Sequence, residues 1–296
     1  MSIDTDRRHW VTGAGALAVS LGLNACGVAD RAGGPQASRA PDRVVSLGPC
    51  LDAILVEVAD RSQIAALSRY SRDPYGSSIA ETAKALPFTS GTAEEIIALS
   101  PDLVLTGIGQ TTTSALDRLS IRSEVFDVPE TVSASLAQVR RIAALVGHPE
   151  RGEALVQRIE AALKAAEPPR GSPELKTLVF MPGGFASGPG TLMDEMMLRA
   201  GLRNAAALYG LTHSASVPLE AVVASPPDLL LAGQPLPGAP SRAERMLQHP
   251  ALAHLAGGMK RAVFPERLLF CGGPVLIQTA AALARARDAA LSDPAR

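Results

Sequence analysis

The stretch Thr92-Ala93-Glu94-Glu95-Ile96-Ile97-Ala98-Leu99-Ser100-Pro101-Asp102-Leu103-Val104-Leu105-Thr106-Gly107 decides the fold. Thr92 and Glu95 form a capping-box start, in which the Thr hydroxyl accepts from a free first-turn amide and the Glu reaches back to the cap. Ser100-Pro101 ends the helix, because the residue before a proline avoids helical backbone. Asp102 then opens an apolar run that closes on Gly107, which reads as a buried strand. Residues 217–233, Val-Pro-Leu-Glu-Ala-Val-Val-Ala-Ser-Pro-Pro-Asp-Leu-Leu-Leu-Ala-Gly, repeat this grammar of helix start, breaker, Asp, apolar strand and Gly. Glu94 and Glu220 each stand eight residues ahead of Asp102 and Asp228, and the two copies are offset by 126 residues. That interval is too long for a solenoid unit. Two similar halves, each with its own copy, follow.

Working outward, each half opens alike. Arg43-Val44-Val45-Ser46-Leu47 is a β-branched run ended by Gly48-Pro49, and Leu178-Val179-Phe180-Met181 leads to Gly183-Gly184. Apolar spacing predicts helices over 51–59, 133–146 and 149–166, with Pro149 at a permitted first-turn position and Glu150 near the positive helix end. The helix from 149 connects the halves. The expected organisation is a leader at 1–26, a tether at 27–41, an α/β lobe at 42–148, the connecting helix within 149–170 and a second α/β lobe at 171–290. Strands alternating with helices imply mostly parallel sheets, whose ligands bind beyond the carboxyl ends of the strands.

Composition narrows the function. The chain of 296 residues has 28 Lys and Arg against 29 Asp and Glu, a net charge of −1, and no basic cluster that would grip nucleic-acid phosphates. Its hydrophobic fraction of 47% supplies large cores without a disulfide scaffold. Residues 1–26 have a polar arginine-bearing start, an apolar run too short and glycine-rich for a membrane span, then Asn24-Ala25-Cys26, the layout of a signal peptide. Arg7-Arg8-His9-Trp10-Val11 resembles the twin-arginine export motif, although Asp6 departs from its Ser or Thr, so the Sec route stays open. Leu23-Asn24-Ala25-Cys26 resembles a lipobox, with Cys26 as the lipidation site; cleavage to a periplasmic protein without a lipid is the alternative.

Arg43 to Leu47, Glu94 to Val104, the run from Gly188-Pro189-Gly190-Thr191-Leu192 to Ala200-Gly201-Leu202, and Leu219-Glu220 to Pro227-Asp228 together resemble the cobalamin and ferric-chelate class of ABC-importer substrate-binding proteins. The resemblance covers residues 42–285. It implies a class III periplasmic binding protein: two Rossmann-like α/β lobes bridged by one long helix, ligand held between them, and little hinge motion. It implies a monomer outside the cytoplasmic membrane that hands a small-molecule metal chelate to an ABC permease dimer, without catalysis and without a cofactor of its own. Glu94 and Glu220 match the carboxylates with which that class docks on its permease. A first-turn Glu also complements the helix dipole, worth ~0.3–1 kcal/mol.

The candidate ligand contacts gather at strand ends. Pro49, Cys50, Gly107 and Cys271 follow or end strands, the polar loop from Ser68 carries Arg69, Tyr70, Arg72 and Tyr75, and Phe185 and Tyr209 oppose it, with His213 on a cleft loop. Cys50 and Cys271 are a disulfide, as an oxidising compartment allows, two separately packed thiols or, least favoured, thiol ligands of a metal. Arginines suit an anionic iron chelate of the siderophore kind, whereas a corrinoid or haem prefers flat aromatic surface. No metal site is expected: His249 and His254, five apart, fall on different helix faces, and His148 is a helix-junction residue. The run from Gly183 to Gly190 lacks the Lys-Ser/Thr ending of a phosphate loop, and no Gly-x-Ser-x-Gly elbow occurs. An exported metal-dependent enzyme on a related fold is the alternative from another class.

Overall fold

Both copies of the repeated passage take the same form in the computed structural model, which describes residues 39–108, 113–118, 120–233, 245, 249–250 and 258–292. The leader with Arg7, Arg8 and Cys26, nearly all of the tether, and His254 lie outside these residues. In chain order the first half comprises β1 (Val44–Ser46), α1 (Pro49–Val58), β2 (Ile64–Ser68), α2 (Ala80–Ala83), β3 (Phe88–Thr89), α3 (Ala93–Ala98), β4 (Leu103–Gly107), α4 (Thr113–Arg118) and β5 (Ser123–Phe126). Helices α5 (Val132–Leu145) and α6 (Pro149–Ala165) follow. The second half holds β6 (Leu175–Phe180), β7 (Phe185–Ala186), α7 (Leu192–Arg199), β8 (Leu202–Asn204), β9 (Ala215–Ser216), α8 (Leu219–Ala224), β10 (Leu229–Ala232), β11 (Lys260–Val263) and α9 (Val275–Ser292).

Two parallel sheets result, ordered β3-β2-β1-β4-β5 and β11-β10-β6-β8, beside a short antiparallel pair β7-β9. With β6, β8, β10 and β11 set against β1, β2, β4 and β5, the two orders are the same. The repeated Asp performs the same task in each. The Asp102 carboxylate accepts from the Asp42 and Arg43 amides and its own amide donates to Arg43 O. The Asp228 carboxylate accepts from the Lys176 amide and its amide donates to Lys176 O. Each Asp thereby fastens the start of a central strand to its neighbour. One expected contact differs: the Thr92 hydroxyl caps the Glu95 amide, but the Glu95 carboxylate passes over the cap to the Ser90 amide and the Thr89 hydroxyl, both at 2.6 Å. Those donors are free where β3 ends, so they win.

Parallel sheets bury both faces, and successive side chains must serve different cores. Val44, Leu103 and Leu105 join one large core while Val45 and Val104 join a second; Val179, Leu229 and Leu231 join the large core while Leu178, Phe180 and Leu230 join a third. The large core is common to both sheets, and α1, α5, α6, α7 and α9 fill it. The outer faces are covered by the repeated helices, Ile96 of α3 on one and Val222 of α8 on the other. Ile96→Ala is expected to cost about 2–5 kcal/mol in urea unfolding, and Val222→Ala less, because fewer methyl groups leave. Ile97→Ala, one residue along and 44% exposed, is expected to stay within about 0.5 kcal/mol of the parent.

Candidate functional site: the groove at the strand ends

Because every strand of a parallel sheet points the same way, the residues that follow them share one edge. On the first sheet that edge carries Arg69 and Tyr70 after β2, Pro49 and Cys50 after β1, Gly107 at the end of β4 and Val128 beyond β5. On the second it carries the turn Pro182-Gly183-Gly184 after β6, leading into Phe185. Residues of both edges meet. A pocket of about 240 Å³ is lined by Val128, Pro129 and Glu130 from the first half and by Phe185, Ser187, Thr191, Leu192, Met193, Ser214, Leu269 and Phe270 from the second. Larger hollows of about 630 and 560 Å³ open beside α5 and between β11 and α9. Neither contains a strand-end residue from both halves, so the smaller pocket marks the groove.

Cys50 and Cys271 are bonded across this region, with Cα atoms 5.0 Å apart. The bond joins the start of α1 to the turn before α9, 221 positions away along the chain. The same turn is pinned by the Gly273 amide donating to the buried Ser135 hydroxyl at 2.7 Å. Gly273 has φ +65°, and a Cβ there would lie 2.6 Å from Ile54, so a side chain would push the turn off α1. Next to the bond, Phe270 is half exposed and its ring lies 5.9 Å from that of Phe185. Phe270 was not among the expected contacts. Its signal in the sequence was position alone, immediately before Cys271.

The expected residues separate into two groups. Arg69 donates to the Tyr70 hydroxyl at 3.0 Å and stands over its ring at 4.9 Å; both are exposed, Tyr70 by 58%. Phe185 faces the pocket, and the exposed His213, bonded through Nδ1 to Thr212, precedes Ser214 on its wall. Gly188 abuts the His213 backbone so closely that a Cβ would sit 2.2 Å from its carbonyl carbon. Arg72, by contrast, folds back: it donates to the carbonyls of Ala83 (3.3 Å) and Leu86 (2.6 Å) and stacks over Phe88 at 4.0 Å. Carbonyls freed at the end of α2 attract a cation there. Tyr75 is exposed, its amide bonded to Asp73. Tyr209 packs on the outer core of the second sheet and donates to Ser225 O at 2.7 Å, burial raising its pKa.

Beneath the Arg69-Tyr70 turn lies an acid that sequence reading missed. Asp52, in the first turns of α1, is fully buried; its Oδ2 accepts from the Ser68 amide at 2.9 Å and the Ser71 hydroxyl at 2.5 Å. Its Oδ1 and the buried Ser46 hydroxyl make no hydrogen bond of ordinary geometry, although Ser46 is near enough to draw the acid's pKa down. Burial outweighs these serine contacts and pushes the Asp52 pKa up to about 7.

The starts of α3 and α8 stand at the same strand-end edges. Glu95 bonds to the residues that end β3 and lies within electrostatic reach of Arg69, and the Val217 amide, just before α8, donates to Gly184 O. Glu94 and Glu220 each occupy the second position of a six-residue helix. Both are exposed and have no hydrogen-bonded or ionic partner among the described residues. No three His, Cys, Asp or Glu side chains among the described residues are placed to hold a metal ion, and no helix among them is long and apolar enough to cross a membrane.

A family model described as periplasmic binding protein matches residues 44–264. The chain belongs to that family. Two cobalamin-binding proteins from strains of Halobacterium salinarum are 25% identical to it over 200 residues, covering 65% of this chain and 54% of theirs. The chain thus spans about half the length of the curated relatives it matches. Among solved structures, the periplasmic haem-binding protein RhuT from Roseiflexus sp. RS-1 superposes with a TM-score of 0.65 at 22% identity, covering 83% of this chain and 99% of that one. The periplasmic vitamin B12 binding protein BtuF of Vibrio cholerae gives 0.64 at 16% identity, with 86% and 99% covered. These likenesses establish the α/β fold with its parallel sheets.

Two consequences are measurable. Cutting the Cys50–Cys271 bond, by reductant or by Cys271→Ser, is expected to lower stability by about 2–5 kcal/mol in thermal or urea unfolding, as for long-loop disulfides generally. The second concerns pH. Burial lifts the Asp52 pKa from 3.8 to about 7, so the folded protein keeps a proton that the unfolded chain loses. Its contribution is complete below the unfolded value and is lost as pH rises through the folded one, on the order of 4 kcal/mol in all. Asp52→Asn is expected to flatten that decline, and above neutral pH the variant should be the more stable protein.

Proposed function

We propose that this protein is the extracytoplasmic binding component of an ABC importer, which captures a metal chelate in the groove and delivers it to a permease dimer without altering it chemically. One observation carries the reading. Two exposed carboxylates with no partner among the described residues, Glu94 and Glu220, stand at equivalent positions of two equivalent helices, and both helices start at the edge that forms the groove. A permease with two like subunits offers two like cationic sites, and a protein seated on both carboxylates covers the groove mouth. The binding-protein family and the cobalamin- and haem-binding relatives support the same role. The leader supports export by the twin-arginine or Sec route, and Cys26 supports a lipid anchor; the protein acts as a monomer.

The Arg69-Tyr70 pair favours an iron chelate bearing anionic oxygens, because a guanidinium pairs with such groups directly. A macrocycle, haem or a corrinoid, is the second reading, favoured by the Phe185–Phe270 pair and the open face of Tyr70, which together offer flat aromatic surface. Thermal-shift and calorimetric titrations with a ferric hydroxamate, a ferric catecholate, haemin and cyanocobalamin decide between them. Stabilisation by one of these, with the chelate recovered intact, is expected; stabilisation by none sinks the reading. Glu94→Lys with Glu220→Lys is expected to leave binding within about twofold while uptake in cells falls by at least tenfold, since like charges then face the permease.

A further inference from the structure

The buried group least explained by the fold is Asp52. An acid with zero exposure is costly unless its lone pairs are met, yet only Oδ2 has partners, and the nearby buried Ser46 hydroxyl is likewise without one. Both partners of Oδ2 belong to the turn that projects Arg69 and Tyr70: Ser68 caps that turn, accepting from the Tyr70 amide at 3.3 Å, and Ser71 lies within it. The carboxyl group therefore spans the ends of two neighbouring strands, Ser46 of β1 and Ser68 of β2, from a helix whose second residue carries the disulfide to the other half.

We infer that Asp52 is a proton-linked brace of the turn bearing Arg69 and Tyr70. Ionised, it receives two charge-assisted hydrogen bonds that hold the turn; with a proton on Oδ1 it becomes a neutral acceptor, and those two bonds weaken by roughly half. The proton is exchanged with solvent and no other group is consumed. The arginines of the elements packed against α1 are engaged elsewhere. On the turn, Arg69 is with Tyr70 and Arg72 with the carbonyls of Ala83 and Leu86. On α5, Arg140 pairs with Glu153 and Arg141 with Glu124; from α6, Arg151 reaches Asp60 and Arg158 reaches Glu57. Burial and three serines alone govern the acid. The turn that carries Arg69 and Tyr70 is consequently stiffer above neutral pH than below it.

The inference rests on the reading that Arg69 and Tyr70 face the ligand, but its test needs no ligand, so the two can fail separately. The purified protein, labelled with ¹³C at Asp carboxyls and ¹⁵N at amides, is titrated by NMR from about pH 5 to about pH 9, a window that ordinary carboxyls do not enter. One carboxyl signal, absent from Asp52→Asn, is expected to titrate near neutral pH, and the Ser68 and Ser71 amides and the Tyr70 ring are expected to shift with the same midpoint. Ser71→Ala, which removes a donor to the ionised form, should move that midpoint upward. An Asp52 signal that is flat across the window, or one that titrates while Ser68, Ser71 and Tyr70 stay still, overturns the proposal. The Asp52 carboxyl is also assigned through its own backbone signals in the wild-type protein, so the outcome does not depend on the variants folding.

Discussion

Parallel strand pairing is the constraint from which the remaining structure follows. A strand paired in parallel needs a crossover to return, and the crossover places helices on the sheet faces, so both faces are buried. Neighbouring residues in β4 and β10 must then all be apolar while serving different cores, which is why Leu103-Val104-Leu105 and Leu229-Leu230-Leu231 lack the polar alternation of half-exposed strands. The same constraint gathers the carboxyl ends of each sheet on one edge. A ligand site there needs no further device: the sequence has only to place suitable residues where strands stop.

What unites the halves is an interior shared by both sheets together with a set of directional ties. The disulfide, the Ser135 hydroxyl on the Gly273 amide and the Glu195 carboxylate on the Val132 amide all cross from one half to the other. Arg287, almost wholly buried, donates to the carbonyls of Ala166 and Ala200 and so clamps the ends of α6 and α7 together. Sliding or opening the halves would break several of these at once and expose apolar surface. The same ties set the spacing of the groove's walls.

Much of this was legible because it rests on backbone rules. The 126-residue offset predicted two like sheets, since a helix start, a proline stop and an apolar run act locally. Strand ends could be located for the same reason, which put Pro49, Cys50, Arg69, Tyr70 and Gly107 on one edge. Side-chain direction was not legible. Arg69 and Arg72 look alike in sequence, yet three residues of difference in a tight turn send one outward and the other onto the carbonyls ending α2. Tyr209 and Phe270 exchanged roles for a similar reason: the Tyr209 ring packs on the outer core beneath it, whereas Phe270 stays half exposed beside Phe185. Asp52 was invisible because it reads as an ordinary first-turn acid until the strands on either side bury it.

The placement of Glu94 and Glu220 combines the two kinds of information. A helix that leads into a parallel strand runs opposite to it, so its start lies at the strands' carboxyl edge; the bonds of Glu95 to Thr89 and Ser90, and of Val217 to Gly184, put α3 and α8 there. A first-turn acid on such a helix is thus carried to the groove side by topology, whatever its purpose. Helix-dipole compensation alone would be satisfied equally by Glu95, which has found partners within its own half. Glu94 and Glu220 have found none among the described residues, though both are exposed and equivalently placed. On the proposed function, two carboxylates without a partner among the described residues, repeated by the fold's own duplication, match a partner that is itself duplicated.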